Sequence, residues 1–292
     1  MLNYTQSILK TIESAVKPNT TRNQALHDLR NLSLSDFGEF LMTIPNQDFP
    51  KLSYLLPRMA SSEVQESWTG TSGISLLKQT VDFVRSMSYN FAKITGTTLE
   101  GKKILDYGCG YGRISRLMYY FIDEDNLFAA DPWDKSIALC HNDGLNKNFV
   151  LSEYLPGNLP FKEKFDLIFA FSVFTHLSEK ATRVNLNLLS NYLNPGGVIV
   201  ITIRPVEYWG INKYAIAKKF SDELKLSHLE NGFAFIPHNR PPVDGDITYG
   251  DTSLSFEWLQ KNFDKLRIKA IDRSFADPYQ IYVFLQIIED GQ

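Results

Sequence analysis

The sequence has few cysteines, no basic excess and no long apolar run, and each shortage excludes a class of protein. Its 292 residues include Cys109 and Cys140 as the only cysteines, too few for a disulfide scaffold, so we expect a reducing compartment. A formal net charge of -3 without a concentrated basic tract argues against a nucleic-acid or membrane-surface partner. No stretch approaches the roughly 20 apolar residues that cross a bilayer. Because the N-terminus also lacks signal-peptide features, a cytoplasmic protein is expected.

The sequence does have enough apolar residues to bury a sizeable core, at 43% hydrophobic and 13% aromatic. Residues 1–98 are predicted to form a helical cap. Ile8 and Ile12 lie on one face of a first helix that Pro18 stops, and a stripe from Ile74 to Ile94 indicates a long helix. Between them, the stretch rich in Pro, Ser and Gly at 45–73 is predicted to be a loop.

From residue 99 the pattern changes to short apolar runs that alternate with helix-forming stretches. The runs at 103–107, 126–131, 148–152, 165–171 and 198–203 indicate buried parallel strands covered on both faces. Two further runs, at 266–271 and 280–287, are predicted to pair antiparallel around a loop through Asp277 and Pro278. We therefore expect an α/β fold: a Rossmann-like, seven-stranded, mostly parallel sheet with an antiparallel C-terminal hairpin. The sheet domain comprises 99–205 and 251–292, and the aromatic-rich segment 206–250 is an inserted lid.

A glycine motif between the first strand and the next helix is the strongest chemical signal. Gly108, Gly110 and Gly112 are spaced G-x-G-x-G, with Cys109 as a small residue inside the turn and Asp106 two positions before it. Such a turn lets a ligand approach the backbone and the following helix N-terminus. The dinucleotide fingerprint has the spacing G-x-G-x-x-G, and Asp106 would repel a pyrophosphate but attract an ammonium group. The ligand is therefore predicted to carry both an amine and a carboxylate.

This motif resembles the first motif of class I S-adenosylmethionine-dependent methyltransferases, and the resemblance extends over about 99–203. It implies S-adenosylmethionine as cofactor and S-adenosylhomocysteine as product, with the glycine turn around the methionine moiety and Asp106 orienting its amino group. It also implies that Asp131, at the end of the second strand, binds the ribose hydroxyls. The alternative is that Asp131 caps the next helix.

Further cofactor contacts are implied by the same resemblance. Pro132 and Trp133 follow Asp131, and the aromatic ring is expected to stack on adenine. Glu153 is the candidate for the adenine amino group, with an ordinary surface carboxylate as the alternative. Phe171 ends the fourth strand and completes the expected cofactor set. Trp68, in the loop before the long helix, is a candidate to fold over the cofactor, or else a core anchor.

The segment after the fourth strand is where similar enzymes bring the acceptor to the methyl group. His176 is the candidate base for a hydroxyl acceptor, and the alternative is that it caps or packs the following helix. The expected acceptor contacts are Arg204, Tyr208, His238 and Arg240, with Asp277, Tyr279 and Gln280 as further candidates. Arg204 could instead pair on the surface. No spacing of Cys or His suggests a metal site.

The function expected from these features is methyl transfer to oxygen or nitrogen of a small molecule, such as a sugar, a lipid-like compound or a secondary metabolite. A protein or peptide methyltransferase, a non-catalytic cofactor-binding protein and an aminopropyltransferase are the alternatives. The last expects paired acids after the fourth strand, where Ser172 and Thr175 stand. The run Phe171-Ser172-Val173-Phe174 also differs from the Asn- or Asp-Pro-Pro-aromatic run of enzymes that methylate bases of nucleic acids.

Overall fold

The computed structural model describes residues 1–288 and divides into two compact units. The first unit comprises residues 1–88 and 98–151. The second comprises residues 89–97 and the chain from 152 onward.

The first unit begins with helices. Their bounds are α1 (Asn3–Ala15), α2 (Arg22–Leu29), α3 (Leu34–Leu41), α4 (Pro50–Leu55), α5 (Ser62–Thr69) and α6 (Gly73–Thr95), of which the residues after Ser88 belong to the second unit. Thr21 opens α2 with a capping box that includes Gln24, and the Ser33 side chain caps α3. No helix within residues 1–288 combines the length and apolarity that a membrane span requires.

The prediction of a loop at 45–73 is wrong, because α4 and α5 lie within this stretch. Pro50 starts α4 at a position where its missing N–H costs nothing, and the Ser61 side chain caps α5. Gly70, with a φ of 78°, ends α5 in the left-handed conformation. The Pro, Ser and Gly of this stretch therefore mark the ends of two short helices.

The first unit continues with strands and helices in alternation. Their bounds are β1 (Ile104–Tyr107), α7 (Arg113–Met118), a 3-10 helix (Glu124–Asn126), β2 (Leu127–Asp131), α8 (Asp134–Asn142) and β3 (Phe149–Leu151). The β1–β2 and β2–β3 pairs are parallel, and every residue of β1 and β2 is buried. The carboxyl ends of β1 and β2 thus carry the glycine turn and Asp131 at one edge of these strands.

The second unit contains the remaining strands. Its elements are β4 (Phe165–Ala170), α9 (Glu179–Asn191), β5 (Leu193–Ile203), a 3-10 helix (Val206–Gly210), α10 (Lys213–Lys218), α11 (Ser221–Asn231), β6 (Phe233–Pro237), β7 (Gly250–Leu254), α12 (Phe256–Asn262), β8 (Leu266–Ser274) and β9 (Asp277–Ile287). β4 pairs parallel with β5, whereas β9 runs antiparallel to both β5 and β8.

Within residues 1–288 the main sheet has seven strands in the order β3-β2-β1-β4-β5-β9-β8. This order confirms the predicted Rossmann-like sheet with an antiparallel C-terminal hairpin. Two details differ from the prediction. Asp277 and Pro278 lie inside β9 rather than in a loop, because β8 and β9 already pair at Ser274 and Asp277. β5 also begins earlier than the predicted run at 198–203, and it includes Gly196, which has a φ of 70°.

The segment predicted as an insertion contains its own small sheet, in which β6 and β7 form an antiparallel pair. The pair extends from Phe233 to Leu254, so it crosses the predicted boundary between 250 and 251. All five residues of β7 are buried, although most of them are polar. Because its polar side chains are buried, β7 is the element of this segment best placed to form functional contacts.

Candidate active site

The glycine turn in the first unit is built from residues in the left-handed conformation. Gly108, Gly110 and Gly112 have φ angles of 76°, 56° and 74°, which favour glycine. A Cβ atom on Gly112 would lie 2.5 Å from Leu145, and one on Gly110 would lie 3.3 Å from the Trp68 ring. Conformation favours glycine at all three positions, and at Gly110 and Gly112 the available space favours it as well.

Asp131 holds this turn to the end of β2. Its two carboxylate oxygens accept one backbone N–H each, from Gly110 at 2.9 Å and from Trp133 at 2.9 Å. Burial raises the pKa of the Asp131 carboxyl, and the two amide hydrogen bonds oppose that rise. Each oxygen keeps a second lone pair, so the carboxylate can still accept from two ribose hydroxyls. The Trp133 N–H belongs to the N-cap residue of α8, so Asp131 also contacts the start of that helix.

Asp106 lies almost completely inside the unit, at 2% exposure. The Ser115 hydroxyl donates to its Oδ2 at 2.6 Å. Burial, and to a lesser extent the nearby Asp131 charge, raises the pKa of Asp106 to about 7, although the Ser115 hydrogen bond and the Arg113 charge oppose the rise. A carboxyl in this state gains from a cation that would hold it ionised. The ammonium group of an amino-acid moiety is such a cation.

Aromatic rings cover the turn. Trp68, the last-turn residue of α5, stacks on Trp133 with ring centres 4.8 Å apart and meets Tyr111 edge to face at 5.6 Å. Trp133 itself is 43% exposed. Trp68 is therefore half-buried against the glycine turn rather than a fully buried core anchor. The ring that the resemblance assigns to adenine is therefore partly exposed at the surface of the first unit, with one face against Trp68.

The remaining residues expected to contact the cofactor are spread over both units. Pro132 is half-buried in the first unit, and Cys109 is buried, with a pKa raised by that burial, as suits a small turn residue rather than a nucleophile. In the second unit Glu153 is exposed. Phe171 lies half-buried there, with its ring centre 6.4 Å from that of Tyr282.

His176 lies in the second unit between β4 and α9, and its ring is fixed by the start of β7. Nδ1 is 2.7 Å from the Gly250 carbonyl oxygen and 3.5 Å from Asp251 Oδ1, while the ring stacks on Tyr249 at 5.1 Å. Both neighbours of Nδ1 are acceptors, so Nδ1 carries the proton and the lone pair lies on Nε2. The N-cap of α9 is Ser178, so His176 does not cap that helix.

The environment of His176 favours the neutral ring. Burial lowers its pKa below the usual value near 6.5, and the charges of Arg204 and His238 lower it further. The Gly250 carbonyl and the Asp251 charge act in the opposite direction without reversing the shift. At neutral pH the imidazole is therefore free to accept a proton at Nε2.

Asp251 is the buried anion that joins the expected acceptor residues. Its Oδ2 lies 3.0 Å from His238 Nε2, and its Oδ1 accepts from the Tyr208 hydroxyl at 3.0 Å. Burial alone would raise the pKa of Asp251, but hydrogen bonds from His238 and Asn212 and the charges of the two histidines lower it overall. The carboxylate is therefore ionised, and His176, Tyr208 and His238 are brought together around it.

The two arginines expected to contact the acceptor both lie over tyrosine rings. The Arg204 guanidinium is 4.0 Å from the centre of the Tyr208 ring, and the Arg240 guanidinium is 4.4 Å from that of Tyr249. Arg240 is exposed, whereas Arg204 is half-buried and its Nε atom is buried. Aromatic faces hold a cation in place while leaving its N–H groups directed elsewhere.

A second polar group lies where β4 and β5 end and β9 begins. Ser172 has a φ of 59°, unusual for a residue other than glycine. Its backbone N–H donates to Thr202 Oγ1 at 2.7 Å, and its hydroxyl lies 3.1 Å from the Thr175 hydroxyl and 3.1 Å from Gln280 Nε2. Positions with unfavourable backbone angles concentrate at functional sites. Of the other candidates at the start of β9, Asp277 and Tyr279 are half-buried.

Sequence reasoning missed Asp251 and Tyr249. Asp251 stands in a short polar run, Gly-Asp-Thr-Ser, that has no apolar pattern to indicate a strand. Its burial is produced by the pairing of β6 with β7, which is a tertiary contact. The one available signal was the density of aromatic residues around it.

Comparison with known proteins gives a family match and several structural similarities. A family model described as "Methyltransferase domain" matches residues 104–197, which include the glycine turn, Asp131 and His176.

The chain is also similar to three solved methyltransferases. One is an S-adenosylmethionine-dependent methyltransferase from Clostridium acetobutylicum ATCC 824, at 16% identity over 77% of this chain and 96% of that one, with a TM-score of 0.48. Another is the magnesium protoporphyrin IX methyltransferase of Synechocystis PCC 6803 with bound SAH, at 13% identity over 74% and 88%, with a TM-score of 0.46. The third is the glycopeptide N-methyltransferase MtfA complexed with S-adenosyl-L-methionine, at 12% identity over 70% and 93%, with a TM-score of 0.47. Residues 104–197 are therefore similar to a methyltransferase domain.

Proposed function

We propose that the protein transfers the methyl group of S-adenosylmethionine to a hydroxyl or amino group of a small molecule, with His176 as the base. The observation that carries the proposal is the hydrogen bond from His176 Nδ1 to the Gly250 carbonyl at 2.7 Å, which leaves the lone pair on Nε2. For a hydroxyl acceptor, Nε2 takes the proton as the oxygen forms its bond to the methyl carbon. The bond from that carbon to sulfur breaks, and its electron pair stays on sulfur.

In this proposal the first unit holds the cofactor. Asp131 accepts from the ribose hydroxyls, Asp106 faces the ammonium group, the glycine turn follows the methionine backbone, and Pro132 and Trp133 lie against the adenine. The left-handed backbone of the glycine turn and the further acceptor capacity of the Asp131 carboxylate support these roles. The cofactor supplies an activated methyl group whose leaving sulfur needs no acid. The protein's own contribution is then to align the acceptor and remove its proton.

The second unit supplies the acceptor contacts in this proposal. Tyr208, His238 and Arg240 come from the 206–250 segment, which we propose acts as a lid on the acceptor side of its own unit. They are connected through Asp251 and Tyr249 to His176 itself. Glu153 and Phe171 remain proposed contacts to the adenine end of the cofactor. The wider division into a helical cap at 1–98 and a methyltransferase domain at 99–205 and 251–292 is proposed on the same basis.

A peptide acceptor is the second candidate, because the lid segment exposes apolar side chains to solvent. Those at 45% exposure or more are Ile211, Ile216, Phe220, Leu226 and Leu229. A surface of this kind suits an extended partner as well as a lipid-like small molecule. An acceptor panel separates the two candidates.

The test is methyl transfer from radiolabelled S-adenosylmethionine to two panels, one of hydroxylated and amino small molecules and one of unstructured peptides. We expect label in the first panel, and His176→Ala should lower kcat about 100-fold or more while leaving cofactor affinity unchanged. Since burial lowers the pKa of His176, the acid limb of the wild-type pH profile should lie below pH 6.5.

The exposed His27→Ala serves as the matched control and should behave as wild type. Label confined to peptides would overturn the small-molecule assignment. An undiminished kcat in His176→Ala would remove the base.

A further inference from the structure

Arg204 differs from the buried Arg116 in what surrounds its donors. Arg116 is fully buried and is bonded to the carbonyls of Arg58 and Tyr111 and to the Asp143 carboxylate. Arg204 makes no ion pair with a carboxylate within residues 1–288, and its buried Nε has no hydrogen-bond partner there. A buried charged donor without a partner costs free energy, so its persistence indicates a partner that arrives from outside.

Gln280 presents the complementary group next to it. Its side chain is buried at 3% exposure; Nε2 donates to the Ser172 hydroxyl at 3.1 Å, while Oε1 is buried with no partner in the described residues. Reversing the amide would only transfer the unmet hydrogen bond to the nitrogen. Arg204 follows Ile203 and Gln280 precedes Ile281, and those two residues are paired between β5 and β9. Both side chains therefore leave their strands at the same point of the sheet edge.

The Arg204 charge has no carboxylate as an ion-pair partner among the described residues. The Asp251 carboxylate, which is connected to Arg204 through the Tyr208 ring, already accepts from Tyr208 and His238. An incoming anion would balance the Arg204 charge, whereas a neutral sugar or a cationic amine would leave it unbalanced. A planar guanidinium with free donors suits the oxygens of a carboxylate or a phosphate.

We infer that Arg204 and Gln280 bind a methyl acceptor that carries an oxyanion: Arg204 Nε donates to the oxyanion, and Gln280 Oε1 accepts from a hydroxyl or amine beside it. This inference rests on the proposed small-molecule function and narrows its acceptor to hydroxylated or aminated organic acids and phosphates. Arg204 then sets specificity, and His176 retains its role as base. The neutral members of the sugar and lipid-like classes become poor acceptors.

The experiment is a ligand-observed NMR titration of the full chain with four probes at constant ionic strength. Glycolate carries both an oxyanion and an adjacent hydroxyl, acetate carries the oxyanion alone, glycolamide is the neutral counterpart of glycolate, and inorganic phosphate tests the other oxyanion. We expect glycolate to bind more tightly than acetate and glycolamide to bind at least about tenfold more weakly than glycolate. If phosphate binds more tightly than glycolate and acetate, the oxyanion of the acceptor is a phosphate. If the carboxylates bind more tightly, it is a carboxylate.

Three variants test which side chain contacts which group of the probe, and a fourth is the control. Arg204→Leu should weaken the anionic probes by about tenfold or more, and Gln280→Leu should abolish the preference for glycolate over acetate. Arg267→Leu, at an exposed arginine of β8, is the matched control and should bind as wild type. Arg204→Lys retains the positive charge without the planar set of N–H donors, so its affinity for the anionic probes should be intermediate. This variant keeps the test valid if the leucine variant folds poorly.

Two results would overturn the inference: equal binding of glycolamide and glycolate, or undiminished binding of the anions by both Arg204 variants. Binding of none of the probes would also overturn it. S-adenosylmethionine is titrated into the same samples. Loss of cofactor binding would indicate failure of the proposed function, whereas cofactor binding without anion binding rejects only this acceptor class.

Discussion

Replacing Asp106 with asparagine should stabilise the fold by an amount that increases with pH. The Asp106 carboxyl is buried, and burial raises its pKa from 3.8 to about 7. Between these two values the folded protein keeps a proton that the unfolded chain releases. The folded state therefore loses stability relative to the unfolded state as pH rises through this window, and the loss levels off above pH 7. Asparagine has the shape of the protonated carboxyl and can still accept from the Ser115 hydroxyl.

The magnitude follows from the width of the window. Each pKa unit corresponds to about 1.4 kcal/mol, so the three-unit rise costs wild type about 4 kcal/mol at high pH. Between about pH 5.5 and about pH 8, the advantage of Asp106→Asn should grow by about 2 kcal/mol. Any constant effect of the substitution on packing or hydrogen bonding cancels in that difference.

The assay is urea unfolding of the cofactor-free protein, followed by far-ultraviolet circular dichroism at both pH values and equal ionic strength. Asp28→Asn, at an exposed aspartate of α2, is the control and should show no advantage that grows with pH. If Asp106→Asn differs from wild type by the same free energy at both pH values, Asp106 is not held in its protonated form. The account of its burial would then be refuted.

Two further predictions concern the cofactor side of the first unit. Asp131→Ala should weaken S-adenosylmethionine binding by roughly 1–3 kcal/mol in calorimetric titration, because the ribose hydroxyls lose their acceptor. The exposed Asp134→Ala should not weaken it, and unchanged affinity in Asp131→Ala would remove the ribose assignment. Trp68→Ala should strengthen binding by about 0.5–1.5 kcal/mol, because adenine must otherwise compete with Trp68 for the face of Trp133. Weaker binding in Trp68→Ala would show instead that Trp68 covers the bound cofactor.

The strands of the sheet could be predicted because burial on both faces leaves a continuous apolar run in the sequence. Phe165–Ala170 and Leu127–Asp131 are such runs, and both lie within one residue of their predicted ends. The helices α4 and α5 could not, because six and eight residues give too little periodicity to distinguish them from a loop. Pro50, the first residue of α4, and Ser61, the cap of α5, resemble ordinary turn residues when read alone.

The two sides of the candidate site differ in how far the sequence predicts them. The proposed cofactor residues lie in one local motif and at one strand end, so the motif and its resemblance to class I methyltransferases point to Asp106, Gly110 and Asp131. The proposed acceptor residues are brought together by contacts between residues far apart in the sequence, such as the contact of His176 with Gly250. His176 and Arg204 could be identified as candidates from the sequence. The Asp251 carboxylate, which connects His176 to His238, could not.

The pairing of β6 with β7 ties the proton chemistry to a peripheral part of the chain. The carbonyl that selects the His176 tautomer belongs to Gly250, and the anion beside it belongs to Asp251, both on β7. The contacts that these two residues make with His176 depend on where β7 lies, so replacing the hairpin would change the surroundings of His176 while the glycine turn stayed as it is. A laboratory graft of 206–254 would therefore alter the environment of His176 and leave Arg204 and Gln280, which lie outside the graft, unchanged.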